Sequence, residues 1–210
     1  MTNYLKKIYK RILNIPIVWN TVQNFLGANS FKYVMYPSVF KTKRGTLLDF
    51  GCSCGNSTDV FLDFDYYGVD VDREALESAK KRFAGHSNVR FQYADLTAGP
   101  FKENFFDHIL FAGTAHHVTP QQLVVITKNL MLSLKPGGEM HIFEPLRQEK
   151  DNWITRWILN HDQGKYIRTK EELLAFFKNN GYSISESNVF PSPARPIRLP
   201  DFLYLKITKQ

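Results

Sequence analysis

An acidic residue and a turn of small side chains stand together early in the sequence. Asp49 belongs to a short apolar run, and residues 51–55, which follow it, are Gly, Cys, Ser, Cys and Gly. Small side chains let the backbone approach a ligand, and a helix that begins after such a turn directs free N–H groups at it. Asp70 follows Gly51 by 19 residues, close to the spacing of about 20 at which an acid binds ribose hydroxyls beside a glycine-rich turn. The pattern predicts a site for a nucleoside-containing ligand; the alternative for Asp70 is a strand-end acid that faces solvent.

The turn does not match a dinucleotide fingerprint, which would place glycine at positions 51, 53 and 56. Two of these positions are Ser and Asn, so a nicotinamide-dependent oxidoreductase is the least favoured function. The arrangement Asp49-x-Gly51-x-Ser53-x-Gly55 instead resembles the first motif of the class I methyltransferases that use S-adenosylmethionine. Ser53 replaces the usual middle glycine, and its small side chain permits the replacement.

The resemblance implies a cofactor, S-adenosylmethionine, and the residues that hold it. A fixed carboxylate at Asp70 would accept both hydroxyl protons of the ribose and attract the cationic sulfonium region. In this family an acid in the position of Asp95 accepts a hydrogen bond from the adenine amino group, and the next residue, Leu96, offers its backbone N–H to the ring. The alternative for Asp95 is an acid that begins a turn. The residues implied to bind the cofactor are Asp49, Gly51, Cys52, Ser53, Gly55, Asp70, Val71, Asp95, Leu96 and Ala112.

Two adjacent histidines, His116 and His117, follow the fourth predicted strand. Ligands of open α/β sheets bind beyond the carboxyl ends of the strands, and histidine can accept a proton near neutral pH. Many members of the family that act on small molecules carry a similar turn. Both histidines are therefore candidates for the catalytic base, with His116 preferred because it is nearer the strand. The alternative is that one of them is structural and bonds a backbone carbonyl.

The remaining pattern alternates strands and helices, which predicts a doubly wound α/β fold. We expect a mostly parallel seven-stranded sheet with an antiparallel last strand, as in the family, plus N-terminal helices. The Leu-Lys-Pro-Gly-Gly turn that ends at Gly138 also resembles the family's junction before the fifth strand. Strands are predicted at 46–48, 66–72, 88–96, 105–111, 139–144, 182–189 and 202–208. Helices are predicted at 56–62, 73–83, 121–134 and 170–178, the third with Leu123, Val124, Ile126, Thr127 and Leu130 toward the core.

The chain divides into an N-terminal helical, basic segment, 1–44, and a methyltransferase domain, 45–210. Residues 145–169 interrupt the alternation and form a lid-like insert in this division. Trp153 and Trp157 lie four residues apart, so they share a helix face. A lid with an aromatic pocket and a helix that packs on the core both fit this pattern.

The positive charge is concentrated in the N-terminal segment. The chain carries +7 overall, whereas residues 1–48 hold eight basic and no acidic residues, which leaves −1 for the remainder. Residues 4–13 place apolar side chains on one helical face and basic ones on the other, and Val18–Leu26 forms a second helical piece. The preferred interpretation is packing on the core; contact with an anionic membrane surface is an alternative. No recognition motif accompanies the charge, so no nucleic-acid partner is expected.

Composition narrows the class further. There is no run of 18 apolar residues, so no membrane span is expected, and the N-terminus lacks the features of a signal peptide. Only two cysteines occur, so there is no disulfide framework and we expect a cytoplasmic protein, peripheral to a membrane if the basic helix binds one. No metal site is expected, because the six histidines lack partners at ligand spacing. They are His86, His108, His116, His117, His141 and His161.

The function implied by the resemblance is direct methyl transfer to a small-molecule acceptor. The high aromatic content, 14% of the chain, suits an apolar or lipid-like acceptor. The Asn-Pro-Pro-Tyr type of sequence used by many methylases of nucleic-acid amino groups is absent after the fourth strand, where residues 112–115 are Ala, Gly, Thr and Ala. The alternative function is a non-catalytic binding or scaffold protein that keeps the same fold.

Overall fold

The computed structural model describes residues 28–42, 44–149, 151–161, 164–191 and 200–210. Within them a single seven-stranded sheet has the order β3-β2-β1-β4-β5-β7-β6. Strands β1 to β5 pair in parallel, and β7 runs antiparallel to both of its neighbours, β5 and β6. The predicted fold class is therefore confirmed. The strands are β1 (Thr46–Phe50), β2 (Asp65–Asp70), β3 (Val89–Tyr93), β4 (Phe106–Ala112), β5 (Leu134–Pro145), β6 (Ile184–Phe190) and β7 (Phe202–Thr208).

Five helices and two 3-10 turns accompany the strands in the described residues. Thr119 and Thr169 form capping boxes with the glutamine and the glutamate three residues later, and Asp72 accepts two backbone N–H groups at the start of another helix, which satisfies donors that a helix start leaves free. The helices are α1 (Ala28–Val39), α2 (Arg73–Arg82), α3 (Pro120–Ser133), α4 (Trp153–His161) and α5 (Lys170–Asn179), and the 3-10 turns are Thr58–Val60 and Ala115–His117.

Alternate residues of the strands enter two apolar cores, one on each face of the sheet. Leu48 and Ile109 face the core that contains the apolar sides of α3 and α5. Leu47 and Leu110 face the other core, which contains those of α1 and α2. The neighbouring strands of a parallel sheet thus bury both faces, as a doubly wound fold requires. The prediction that Val124 points toward the core is wrong, since this residue is 40% exposed.

The helix predicted at 56–62 is also wrong, because this stretch contains only the three-residue turn Thr58–Val60. Fourteen residues separate Phe50 from Asp65, and the loop 51–57 uses half of them. A helix that returned along the five residues of β1 would need about 11 residues at 1.5 Å per residue. The connection is too short, so no regular helix directs its N-terminus at the turn.

Helix α1 packs against this short connection. Lys32 Nζ binds Asp59 Oδ1 at 2.8 Å and also donates to the Asn56 carbonyl. The Tyr36 ring lies 5.5 Å from that of Phe61. Helix α1 lies within the segment 1–44 that was predicted to be helical, and it contains Pro37 near its end.

The basic helix predicted near the N-terminus and the helix predicted at 18–26 both lie outside the described residues. In the part of the chain that the structure describes, no helix combines the length and apolar character needed to span a bilayer. In the insert, α4 buries Thr155 and Leu159 but leaves Trp153 78% exposed, so core packing is wrong for Trp153.

Candidate active site

The turn after β1 lies where the sheet order changes direction, between β1 and β4, which is the usual ligand position in open α/β sheets. The backbone N–H groups of Gly51 and Cys52 both donate to the Val69 carbonyl. Gly51 has φ +76°, and a Cβ there would lie 2.4 Å from Thr114 Oγ1, so no larger residue fits. Gly55 also has a positive φ, +78°. The Cys52 side chain is buried, and its N–H and carbonyl are both bonded within the protein, so its part in cofactor binding stays a prediction.

Ser53 connects the turn to Asp70. Its φ is +50°, the left-handed region that costs a non-glycine residue roughly 1–2 kcal/mol. In this conformation its N–H donates to Asp70 Oδ2 at 2.8 Å. The turn is therefore held to the end of β2 at the position where the family usually has glycine.

The Asp70 carboxylate is fixed by two backbone donors, since Oδ1 accepts from Asp72 N–H at 2.9 Å. Each oxygen keeps a second lone pair, which is what two ribose hydroxyls require. Val71, the next residue, is an apolar side chain left 59% exposed. Such a residue beside the carboxylate offers a surface for an aromatic ring.

Asp95 and Leu96 follow β3, the strand beside β2. Asp95 is exposed, and Oδ1 accepts from the hydroxyl and the N–H of Thr97 at 2.6 and 2.9 Å. These bonds lower the pKa of Asp95, so the carboxylate is ionised and can accept another donor. The Leu96 side chain is buried, and its carbonyl accepts from Asn129 Nδ2 at 2.7 Å.

Asp49 lies beneath the turn and is only 4% exposed. Its carboxylate accepts a hydrogen bond from the Tyr66 hydroxyl, which in turn accepts from Thr58 Oγ1. Burial raises the pKa of Asp49 to about 7, because a charged carboxylate loses its hydration there. This residue is therefore close to its protonation midpoint at neutral pH.

Ala112, at the end of β4, leads into the histidine turn. His116 is 5% exposed, and its Nδ1 lies 2.7 Å from Glu144 Oε2. Oε1 of Glu144 accepts the backbone N–H groups of Thr114 and Ala115 at 2.8 and 2.7 Å. One buried carboxylate at the end of β5 thus fixes both the turn and the imidazole. His117 is exposed, with its ring centroid 4.2 Å from that of His116.

The end of the insert lies against the histidine turn. A Cβ on Gly164 would lie 2.0 Å from His116 Cδ2, and the Tyr166 N–H donates to the His116 carbonyl. Arg168 Nη1 donates to the Ala115 carbonyl at 2.9 Å. These contacts make the turn and the insert one structural unit.

Sequence reasoning missed Glu144 and Arg168. Glu144 could have been identified from the sequence, because it is an acid at the end of an apolar strand, as Asp70 and Asp95 are. Arg168 could not, since its role depends on how the insert crosses the sheet.

The switch-point turn, the acids that end β2 and β3 and the strand order together define the fold and cofactor site of a class I methyltransferase. The residues fit S-adenosylmethionine: a turn of small residues at the switch point, a fixed carboxylate at the position predicted for the ribose and an ionised one at the position predicted for the adenine. The truncated helix after the turn is the departure from the predicted arrangement.

Comparisons with known proteins agree. Residues 47–138 match the family model for a methyltransferase domain. The trans-aconitate 2-methyltransferase of Sinorhizobium medicae is 32% identical over 118 residues, which cover 53% of this chain and 42% of that protein. Phosphoethanolamine N-methyltransferase 1 of Triticum aestivum is 27% identical over 149 residues, 69% of this chain and 26% of that protein. A SAM-dependent methyltransferase from Methanosarcina mazei superposes with a TM-score of 0.68 at 17% identity, covering 83% of this chain and 97% of that one.

Residues 47–138 therefore form a methyltransferase domain by similarity, and the predicted resemblance to the methyltransferases that use S-adenosylmethionine is confirmed. The matched region spans less than half the length of the two curated relatives. At 17% identity, the likeness to the solved structure establishes the fold alone.

Away from this site, three polar side chains meet near the amino-terminal ends of β4 and β5. His108, Glu139 and His141 each direct one ligand-type atom into a space where these atoms lie within 4.8 Å of one another. Burial lowers the pKa of both histidines. The expectation that the histidines lack partners at ligand spacing is wrong for these two.

Proposed function

We propose that this protein transfers a methyl group from S-adenosylmethionine to a small-molecule acceptor. The observation that carries the proposal is that the cofactor turn and the histidine turn meet at one edge of the sheet. The Ser53–Asp70 hydrogen bond holds the cofactor turn, and Thr114 packs over Gly51 while leading directly into the His116–Glu144 pair. Bound S-adenosylmethionine supplies a methyl carbon already activated by its sulfonium sulfur.

The cofactor-binding residues act mainly by orientation. Asp70 fixes the ribose through its hydroxyls, while Asp95 and the Leu96 N–H fix the adenine. Alignment of reacting atoms can supply a large part of a transfer rate when the activated group is provided ready-made. The backbone of the turn faces the remaining amino-acid portion, and Asp49 lies beneath it as the nearest buried carboxylate.

His116 is the proposed base for an acceptor that must lose a proton. Glu144 accepts the proton of Nδ1, which selects the tautomer with an unprotonated Nε2. Nε2 can then take a proton from a hydroxyl or an amine as the methyl group arrives. Glu144 is a positioning residue, because it acts through His116. His117 is the second candidate for the base, because its ring is exposed on the same turn.

The insert, 145–169, is proposed as a lid over the acceptor, within the domain 45–210. Its contacts with the histidine turn through Gly164, Tyr166 and Arg168 support this role. The exposed indole of Trp153 on α4 supports the finer proposal of an apolar or lipid-like acceptor. The apolar part of an acceptor that entered the site beneath α4 could cover the Trp153 indole.

The test is transfer of label from methyl-labelled S-adenosylmethionine into fractionated metabolite and lipid extracts. The proposal predicts label in a small-molecule product, in the lipid fraction if the finer proposal holds, and loss of that label with the Asp70→Ala variant. Label in polar metabolites alone would contradict the lipid-like acceptor and leave the methyl transfer supported. Binding of the cofactor without transfer to either extract would favour the alternative, a non-catalytic binding protein.

A further inference from the structure

The cluster at the amino-terminal ends of β4 and β5 is separate from the cofactor site. His108 and Glu139 are directly paired across the two strands, and His141 lies two residues further along β5 on the same face. Glu139 Oε2 lies 3.8 Å from His108 Nδ1 and 3.6 Å from His141 Nε2. Both distances are too long for hydrogen bonds.

The outer nitrogen of each imidazole is already bonded. His108 Nε2 lies 2.9 Å from Thr42 Oγ1, and His141 Nδ1 lies 3.1 Å from the Tyr204 hydroxyl. The Phe40 ring stacks on His141 with centroids 3.9 Å apart. These contacts fix the orientation of both rings, and outer-nitrogen hydrogen bonds of this kind typically support imidazoles that bind a metal.

The inner nitrogens are the unexplained feature. Neither His108 Nδ1 nor His141 Nε2 has a hydrogen-bond partner among the described residues, although both atoms are buried. His141 as a whole is 0% exposed. A buried polar atom without a partner is costly, and here two such atoms converge on one carboxylate oxygen. A cation at their common centre would satisfy all three.

We propose that His108 Nδ1, Glu139 Oε2 and His141 Nε2 form a binding site for one zinc-type divalent cation. Two imidazoles and one carboxylate are a known ligand set for zinc, with the fourth position taken by water. Bonds of about 2.0–2.1 Å in a tetrahedral arrangement separate the ligand atoms by about 3.3 Å. The two separations from Glu139 Oε2 exceed this spacing by about half an ångström or less, a difference that rotation of the Glu139 side chain can remove.

The surroundings leave Glu139 able to take this role. Lys206 Nζ lies 3.3 Å from the other oxygen, Oε1, and 3.3 Å from Glu186 Oε2. The ammonium therefore neutralises the far side of the carboxylate and is shared with a second acid. The Glu139 side chain is 29% exposed, which gives a cation a path from solvent to the buried nitrogens.

The site would connect four parts of the chain. The ligands join β4 to β5, and the outer hydrogen bonds join them to β7 and to Thr42, which follows α1. Occupation would hold the end of α1 against the sheet, so its expected consequence is stability and not methyl transfer chemistry.

The test is titration of chelator-treated protein with Co²⁺ and then Zn²⁺. We expect one equivalent of Co²⁺ to bind with the visible absorption of a tetrahedral site, displacement by Zn²⁺ and a raised unfolding temperature with Zn²⁺. His108→Gln and Glu139→Gln should each weaken Co²⁺ binding by at least tenfold. His86→Gln removes an exposed histidine and is the matched control, with unchanged Co²⁺ binding.

Calorimetric binding of S-adenosylhomocysteine shows which variants are folded. X-ray absorption at the zinc edge of the wild-type protein needs no variant and should show two imidazole nitrogens in the coordination shell. The proposal is overturned if wild-type protein takes up no stoichiometric Co²⁺, if the zinc shell lacks imidazole, or if both folded variants retain wild-type affinity. In that case Lys206 and a proton between His141 and Glu139 balance the cluster without a metal.

Discussion

Strands β4 and β5 carry a histidine–carboxylate group at each end, and the two groups differ in spacing. At the carboxyl end, His116 lies 2.7 Å from Glu144, whose second oxygen accepts two backbone N–H groups. At the amino end, His108 and His141 stand 3.8 and 3.6 Å from Glu139. The same residue types on the same strands therefore form a direct hydrogen bond at one end and leave a gap at the other.

This difference indicates what each group can do. A carboxylate in contact with an imidazole fixes the orientation and tautomer of the ring, which suits a base. Two buried imidazole nitrogens that face a carboxylate across a gap of 3.6–3.8 Å make no hydrogen bond with it and suit a cation. Residue type alone does not distinguish the two groups; spacing and the partners of the outer atoms do.

Glu144→Gln should produce the largest effect on methyl transfer. The amide keeps the size of the side chain but no longer stabilises a protonated His116, so label transfer should fall at least 100-fold, within the range of general base catalysis. The pH–rate profile should lose the limb due to the histidine, which a merely structural role would not predict. Co²⁺ uptake at the opposite end should persist. Wild-type turnover in this variant would remove Glu144 and His116 from the mechanism.

Asp49→Asn tests a third buried carboxylate, that of β1, whose partner is the Tyr66 hydroxyl and not an imidazole. The raised pKa of Asp49 means that wild type loses stability as pH rises from about 4 to about 7, since ionisation is easier in the unfolded chain. The amide has no such penalty and keeps an acceptor for Tyr66. We expect the variant to be more stable by roughly 4 kcal/mol at pH 8, the equivalent of about three pKa units, with the difference vanishing near pH 4. Denaturant unfolding at both pH values measures this, and equal stability at pH 8 would contradict it.

Asp70→Ala and Asp65→Ala compare the two ends of a single strand, β2. Loss of Asp70 should weaken S-adenosylhomocysteine binding at least tenfold, or about 1.4 kcal/mol, by calorimetry. Asp65, at the other end of β2, pairs with Arg90 near the surface, and its variant should bind within a factor of two of wild type. Equal affinities for the two variants would exclude Asp70 from the site.

Ser53→Gly should give the smallest effect, a gain in stability of about 1 kcal/mol, because glycine adopts a positive φ without strain. Asn104, at φ +48° and far along the sequence, provides the matched control. Asn104→Gly should stabilise the chain less, since asparagine tolerates this conformation better and its Oδ1 accepts a hydrogen bond from Lys209 Nζ at 2.8 Å that glycine would lose. Denaturant midpoints measure both changes, and a loss of stability in Ser53→Gly would show that the serine side chain has a contact of its own.

The sequence predicts the sheet well because its strands depend on local signals. Apolar runs that end near Asp70 and Asp95 identify two strands and place an acid after each of them, and Thr169 marks the start of α5. Contacts between segments that are distant in the sequence are harder to predict from it. The gap between His108 and His141, 33 positions apart in the sequence, depends on the register of β4 against β5, and the helix lost after Gly55 depends on the length of the return path.

The most direct test of the central claim is a crystal structure with S-adenosylhomocysteine bound. The account predicts both ribose hydroxyls within hydrogen-bond distance of the Asp70 carboxylate, the adenine beside Asp95 and Leu96, and the sulfur facing the His116 turn. A ligand found at another edge of the sheet, or no binding at millimolar concentration, would contradict it.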